Sequence, residues 1–126
     1  MEDQNKLDQA RELQERTKKF AIDIIRAFTA LPKSDEARVI GRQFLRSGTA
    51  VAANYRATCR ARSKAEFISK LGVVVEETDE TDFWLDLLIA AKVATSRGPD
   101  ALLNECRELL RIFAKSLATA KGNRNG

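Results

Sequence analysis

The sequence predicts an all-α protein, an antiparallel bundle of four helices connected up-down-up-down within one domain over residues 1–121. Apolar side chains recur at steps of three or four along most of the chain, the period of helices with one buried face. Only 2 Pro and 6 Gly interrupt the 126 residues, and no stretch alternates as a strand would. Four helices with short connections favour this bundle, and residues 122–126 are expected to form a disordered tail.

The first helix is expected over residues 7–31, because Pro32 ends the periodic pattern. Its predicted buried stripe is Leu7, Ala10, Leu13, Thr17, Phe20, Ile24, Phe28 and Leu31. A second helix is expected over residues 35–61, with Ser34 or Asp35 as its N-cap.

The triplet Ser47-Gly48-Thr49 lies in the middle of the second helix and could break or kink it. A continuous or slightly bent helix is favoured, because apolar residues keep the same phase on both sides of the glycine. Their shared face comprises Val39, Ile40, Phe44, Gly48, Val51, Ala52, Tyr55 and Cys59. The small residues Gly41, Gly48, Ala52 and Ala53 favour close approach of a neighbouring helix.

A capping box, Ser63-Lys64-Ala65-Glu66, predicts the start of a third helix that extends to about residue 96. Its expected inner side is Phe67, Leu71, Val74, Thr78, Leu85, Ile89 and Lys92. A fourth helix over about residues 100–121 follows Gly98-Pro99. It is expected to bury Leu102, Leu103, Cys106, Leu109, Leu110, Phe113 and Leu117.

The residue types argue against an enzyme, a cofactor and a metal site. The chain has no histidine, which removes the commonest general acid/base and the commonest metal ligand, and it has no phosphate-binding glycine loop. Cys59 and Cys106 lack metal-ligand spacing and are expected to be small buried residues. The polar N-terminus and the lack of a long apolar run predict a cytoplasmic protein with no membrane partner.

Charge is distributed unevenly although the net charge is only +4. The second helix carries a row of five arginines within about a quarter of the helical wheel, spanning about 33 Å. A shorter basic row repeats on the fourth helix. The candidate nucleic-acid-binding residues are Arg38, Arg42, Arg46, Arg56, Arg60 and Arg62, with Arg107, Arg111 and Lys115.

Two other interpretations of the arginine row stay open. The arginines could pair with acids of the third helix, or they could simply be solvated. The acids are Glu76, Glu77, Asp79, Glu80, Asp82 and Asp86, and they are spread around the helix, so no metal site is expected. Asp79, Asp82 and Asp86 border the apolar stripe, and partly buried carboxylates need partners. At least one of them, for instance Asp82 with Arg46, is expected to pair with the second helix.

Several apolar residues point away from the expected core: Ile25, Val73, Phe83, Trp84, Leu87 and Ile112. Such residues mark an interface more often than they face solvent, although a wider core is the alternative. The predicted interface between copies of the chain comprises Tyr55, Phe83, Trp84 and Leu87.

Residues 40–67 carry the motif IGRQFLRSGTAVAANYRATCRARSKAEF, followed by KLG at 70–72, EETDE at 76–80 and FWL at 83–85. In these motifs the chain resembles the four-helix-bundle proteins encoded in intervening sequences of 23S ribosomal RNA genes, the S23 ribosomal protein family. This chain has Ala50 and Ala52 where relatives often have Ser or Gly, a mild departure.

The resemblance implies a bundle that assembles into a five-membered ring. One branch of the family is the accessory variability determinant of diversity-generating retroelements, which binds nucleic acid, associates with a reverse transcriptase and has no catalytic activity. By position, Arg42, Arg46, Arg56, Arg60 and Arg62 match the basic segment of the pattern.

Two functions therefore fit the sequence. The first is a non-catalytic RNA-binding or DNA-binding accessory protein that forms a homo-oligomer. The second is an oligomeric protein-interaction scaffold that binds no nucleic acid, with its arginine and acidic rows joining subunits.

Overall fold

The computed structural model describes residues 2–96 and 98–122, which form four α-helices. In chain order these are α1 (Glu2–Thr29), α2 (Asp35–Cys59), α3 (Lys64–Ala90) and α4 (Gly98–Gly122). No strand occurs within these ranges, so the predicted all-α class is confirmed. The predicted disordered tail falls mostly on residues 123–126, which lie outside the described residues, whereas Gly122 is helical.

Each helix packs against its neighbours in sequence, whereas the backbones of the two diagonal pairs, α1 with α3 and α2 with α4, do not approach closely. Side chains still meet across the core, as Tyr55 of α2 does with Phe113 of α4. The smallest contact between neighbours in the bundle is the one between α1 and α4, the first and last helices. A bidentate ion pair crosses this seam: Arg16 Nε and Nη2 donate to the two carboxylate oxygens of Glu105 at 2.8 and 2.7 Å. The four helices thus close into the expected up-down-up-down bundle.

The core lies where the four apolar stripes meet. Its largest fully buried side chains include Phe20, Ile24, Phe44, Leu71, Leu85, Leu88, Leu109 and Phe113. Buried threonines of the stripes satisfy their hydroxyls within their own helix: Thr17 donates to the Gln14 carbonyl at 3.0 Å, and Thr78 donates to the Val74 carbonyl at 2.7 Å. These bonds let polar residues occupy the core without an unpaired donor.

α2 is continuous through the Ser47-Gly48-Thr49 triplet, as predicted, and two of its glycines bring α1 close. A Cβ atom on Gly48 would lie 2.7 Å from Ile24 Cγ2, and one on Gly41 would lie 2.9 Å from Leu31 Cδ1. Ile24 is completely buried, so it cannot move aside into solvent. The predicted close approach is therefore confirmed at Gly48 and Gly41.

Both predicted N-caps form. The Ser34 hydroxyl accepts a hydrogen bond from the Ala37 backbone N–H at 3.3 Å. The Ser63 hydroxyl accepts one from the Glu66 N–H at 3.1 Å. Each bond satisfies one of the free donors in the first turn of its helix, which fixes where α2 and α3 begin.

The predicted end of α3 at residue 96 is wrong, because the helix ends at Ala90 and Lys92 is exposed rather than inward-facing. Lys92 has a φ of 60°, its N–H bonds to the Ile89 carbonyl at 3.0 Å, and the Val93 N–H bonds to the Leu88 carbonyl at 2.9 Å. This is a Schellman C-cap with lysine where glycine is usual. Since no glycine occurs at this position, the sequence pattern gave no sign of the C-cap, and the predicted helix was too long.

Besides Lys92, two residues expected on buried faces are exposed. Leu7 is 54% exposed and Val39 is 66% exposed. The Gln14 side chain reaches the Cys59 thiol at the last residue of α2, so the turns of α1 before Gln14 extend beyond α2. Val39 lies beside the buried stripe of α2, which is narrower than the predicted face.

Substituting Gly48 by alanine is expected to destabilise the protein, and the same change at Gly72 is expected to stabilise it. Alanine gains about 1 kcal/mol in helix propensity at either site. At Gly48 the clash with Ile24 outweighs this gain, because overpacking a core costs about 1–3 kcal/mol. Nothing lies within 4 Å of a Cβ at Gly72. Urea unfolding of both variants checks the opposite signs, and equal effects at the two sites would contradict the close approach.

Lys92→Gly is expected to stabilise the fold by about 0.5–1 kcal/mol, because glycine adopts the left-handed conformation without the cost that a Cβ imposes. Lys92→Ala retains the Cβ and should give no comparable gain. Thermal unfolding of the two variants compares them directly. A gain for alanine equal to that for glycine would trace the effect to the lysine side chain rather than to the backbone.

Candidate nucleic-acid interface

Four arginines of the predicted row lie along the outside of α2, the fifth, Arg60, is its C-cap, and all five are exposed. We call this surface the α2 arginine face: Arg38, Arg42, Arg46, Arg56 and Arg60. It lies opposite the buried stripe that contains Phe44, Val51 and Tyr55. The predicted placement of the row on one exposed helix face is therefore confirmed. The five arginines differ in whether they form ion pairs with other residues of the chain.

Arg46 is held by two carboxylates of α3. Its Nη1 lies 3.0 Å from Glu77 Oε2, and its Nη2 lies 2.7 Å from Glu80 Oε1. The Trp84 indole N–H also donates to Glu80 Oε1, at 3.1 Å. The hydrogen bond from Arg46 is the main cause that lowers the pKa of Glu80, and the bond from Trp84 is the second. The hydrogen bond between Arg46 and Glu80 in turn raises the pKa of Arg46. The charge of Arg46 is thus compensated within the fold.

Arg38 and Arg62 have only loose partners. Arg38 Nη2 lies 3.5 Å from an Asp35 carboxylate that is almost fully exposed, and Arg62 Nε lies 3.9 Å from Glu66. Exposed pairs between residues so close in the chain contribute little and are readily exchanged. Both arginines therefore keep most of their capacity to bind an external anion.

Arg42, Arg56 and Arg60 form no ion pair with any residue in 2–96 or 98–122. Arg56 and Arg60 are one helical turn apart, and Arg42 precedes Arg56 by about 21 Å along the axis. Their guanidinium groups are exposed and uncompensated, so they form the most cationic part of the α2 arginine face.

The shorter row on α4 is divided in the same way. Arg107 Nε and Nη2 donate to the Asp82 carboxylate at 3.1 and 3.3 Å, and Nη2 lies 3.6 Å from Asp86. Arg111 lies 2.7 Å from Glu108, and the bond from Arg111 lowers the pKa of that carboxyl. Lys115 is exposed and has no ion-pair partner among the described residues.

The expectation that Asp79, Asp82 or Asp86 pairs with α2, for instance Asp82 with Arg46, is wrong. Asp82 and Asp86 contact Arg107 of α4, and Asp79 has no ion pair among the described residues. The open interpretation that arginines of α2 pair with acids of α3 holds at Arg46, through Glu77 and Glu80. Since α2 and α4 are diagonal in the bundle and face each other only across the core, the rows on their outer faces do not merge into one basic surface within one chain.

The predicted interface residues separate into buried and exposed. The assignment of Tyr55 to the interface is wrong, because this residue is only 7% exposed and its ring lies 5.1 Å from that of Phe113 in the core. Burial there raises the pKa of Tyr55. Phe83 is 58% exposed and stacks edge-on against Trp84 at 4.9 Å between ring centroids. Trp84 and Leu87 are half-buried beside it. An apolar outer face on α3 therefore remains, without Tyr55.

The two thiols are poor nucleophiles. Cys106 is buried and its Sγ donates to the Thr78 carbonyl at 3.4 Å, and burial raises its pKa to about 12. Burial also raises the pKa of the half-buried Cys59 thiol. Among the described residues, no three cysteine, aspartate or glutamate side chains are grouped so that they could hold a metal ion.

One cationic residue near the α2 arginine face was missed from the sequence. Lys18 of α1 is exposed, has no ion-pair partner among the described residues, and lines a groove that also includes Arg56. The antiparallel register between Ile24 and Gly48 sets Lys18 opposite Arg56. The small residues of α2 hinted at this approach, but the sequence alone left the register undefined.

The family model for the 23S rRNA-intervening sequence protein matches residues 9–115, nearly the whole described bundle. The chain belongs to this family. The match to the 23S rRNA-intervening sequence proteins includes the segment of α2 and α3 that carries the sequence motifs.

A solved structure from the S23 ribosomal protein family is similar to this chain. It is a protein of unknown function from Bacteroides thetaiotaomicron VPI-5482, 30% identical, and the match covers 86% of this chain and 96% of that chain with a TM-score of 0.78. No curated protein matches the chain. Within the described ranges, none of the helices is both long and apolar enough to cross a membrane.

Arg46→Gln is expected to lower the free energy of unfolding by roughly 0.5–1 kcal/mol at neutral pH, since its two pairs are partly exposed. Glu80 has a folded-state pKa below its ordinary 4.5, so its contribution is present above that pH and is lost as the pH falls through the folded pKa. The difference between wild type and variant should therefore vanish in acid. Urea unfolding across this pH range measures it.

Arg42→Gln is the matched control for Arg46→Gln, because Arg42 lies one turn away with no ion-pair partner in the described chain. It should leave stability nearly unchanged at every pH. A loss at Arg46 that persists in acid would contradict the role assigned to Glu80.

Proposed function

We propose that the chain is a non-catalytic accessory protein that binds RNA or DNA through the phosphate backbone. The observation that carries the proposal is the set of three exposed arginines, Arg42, Arg56 and Arg60, without ion-pair partners among the described residues of the fold. A guanidinium presents a planar fork that matches phosphate oxygens, and an uncompensated group loses no internal partner on binding.

The α2 arginine face favours contact with phosphates over contact with bases. Recognition of single strands commonly uses exposed aromatic rings as stacking platforms, and this face carries none, because Tyr55 is in the core. Binding is therefore independent of sequence and strongly dependent on salt. The family description, which names an intervening sequence of 23S rRNA, supports RNA as one partner.

The lack of catalysis is supported by the residue types. The sequence has no histidine, and raised pKa values keep both thiols protonated near neutral pH. We propose no cofactor. The protein acts in the cytoplasm, where its partners are nucleic acid, further copies of itself and, if the gene belongs to a retroelement, a reverse transcriptase.

The outer face of α3 supports self-association. Phe83 is more than half exposed beside Trp84 and Leu87, and large aromatic rings at the surface mark interfaces. A homo-oligomer, with five subunits as the family resemblance implies, covers these residues. It also multiplies the α2 arginine face, which raises affinity for a long polyanion.

A second candidate function is favoured by the same apolar face of α3. In this alternative the protein is an oligomeric scaffold for other proteins and its arginines are merely solvated. Phe83→Asp then abolishes the assembly while no nucleic acid binds even at low salt. Sedimentation of wild type and variant, together with a binding titration, separates the two candidates.

The proposed function is tested with a variant that removes the three unpaired arginines, Arg42→Gln, Arg56→Gln and Arg60→Gln together. Each lost phosphate contact reduces the magnitude of the slope of log affinity against log salt by about 0.9 for duplex DNA. The slope of the triple variant should therefore be smaller in magnitude by about 2.7. Fluorescence anisotropy with labelled duplex RNA and DNA over a salt series gives the slope.

The matched control removes three paired arginines, Arg46→Gln, Arg107→Gln and Arg111→Gln, and so has the same net charge. It should bind with nearly the wild-type slope but unfold more readily, because it loses contacts of the fold. Equal loss of binding in both triple variants would overturn the proposal in favour of a general charge effect. Absence of binding by wild type at low salt would overturn it outright.

A further inference from the structure

A groove of about 380 Å³ runs between α1 and α2 beside the α2 arginine face. It is lined by Gln14, Glu15, Lys18, Ala52, Ala53 and Arg56. This volume corresponds to about a dozen water molecules, which accommodates a phosphate group and its adjoining sugar. The groove thus extends the proposed binding surface from one helix to two.

The close contact deeper in the bundle determines what faces the groove. Ile24 meets Gly48 where the helices approach, and Lys18 lies about 9 Å from that level along α1. Arg56 lies about 12 Å from it along α2, in the same direction because the helices are antiparallel. The two cations therefore stand on opposite walls at nearly the same height.

The charges of the groove favour an anion. Lys18 and Arg56 are both exposed, and neither has an ion-pair partner among the residues described. The neighbouring Lys19 differs, since it pairs with Asp23 at 3.0 Å on another face of α1. Glu15 is the one carboxylate in the lining, so the groove has a net charge of +1. Glu15 lies about 13.5 Å from the level of Ile24, nearly the height of Arg56, and therefore opposes its charge.

The floor of the groove permits close approach. Ala53 is exposed and Ala52 is half-buried, and neither side chain extends beyond its Cβ. An anion can therefore reach the helix surface between the two walls. Arg60 follows Arg56 by about 6 Å along α2, so a chain of phosphates leaving the groove meets a further guanidinium.

We propose that the groove between α1 and α2 holds one sugar–phosphate strand of the bound nucleic acid, with Lys18 and Arg56 on either side of a phosphate and Ala53 beneath it. This inference rests on the proposed function and adds a specific path for the strand. Lys18 is then a binding residue, Ala53 is a residue whose small size is required, and Glu15 limits affinity.

The experiment measures binding of a short duplex RNA and a duplex DNA of the same sequence by wild type and by three groove variants. Lys18→Gln should reduce the salt slope by about 0.9, so the affinity lost between about 50 and about 200 mM salt shrinks by about 3.5-fold. Ala53→Leu, which fills the groove without changing charge, should weaken binding at every salt concentration. Glu15→Gln should tighten it.

Two matched controls accompany these variants. Lys19→Gln removes the same charge from the adjacent position outside the groove, and Ala114→Leu adds the same bulk to an exposed alanine of α4. Both should bind as wild type does, and circular dichroism with thermal unfolding verifies that every variant is folded. The duplex that wild type binds more tightly identifies RNA or DNA as the preferred source of the phosphate.

Three outcomes are decisive. Weakening by Lys18→Gln and Ala53→Leu, with tightening by Glu15→Gln and no effect of the controls, supports the groove. Wild-type binding that depends on Arg42 and Arg60 but is unaffected by all three groove variants overturns the groove and leaves the proposed function standing. Failure of wild type to bind either duplex at low salt overturns both.

Discussion

The contact between Ile24 and Gly48 is the constraint on which the rest of this bundle depends. A single missing Cβ lets α1 lie close against α2, and the buried isoleucine fixes the register between them. That register sets Lys18 opposite Arg56 and leaves a groove floored by alanines. It also turns the arginines of α2 outward, because the opposite face of the helix is occupied by the core.

The acidic helix α3 then determines which cations remain available. Glu77 and Glu80 engage Arg46 on one side, and Asp82 engages Arg107 on the other, so these arginines stabilise the contacts of α3 with α2 and α4. Arg42, Arg56 and Arg60 are exposed and have no such partner among the described residues. The same charge therefore stabilises the fold at one position and stays available to an external anion at another.

Periodicity and capping residues predicted the four helices and the starts of α2 and α3, since these depend on local chemistry. The end of α3 was missed because Lys92 adopts a left-handed conformation that usually signals glycine. Tyr55 was wrongly assigned to the interface although it lies on the apolar face of α2, because the sequence cannot reveal the ring of Phe113 across the core. The rotation and register of neighbouring helices determine which arginines are paired and place Lys18 opposite Arg56. A single sequence does not define this rotation and register.

The central claim is that unpaired arginines bind phosphate whereas paired ones hold the fold. NMR spectra of the arginine side-chain N–H groups, recorded during titration with a short duplex, test it directly. If unpaired arginines bind phosphate, the signals of Arg42, Arg56 and Arg60 shift while those of Arg46 and Arg107 stay in place. Shifts of Arg46 and Arg107 equal to those of the unpaired arginines, or no shift of any of them, would contradict it.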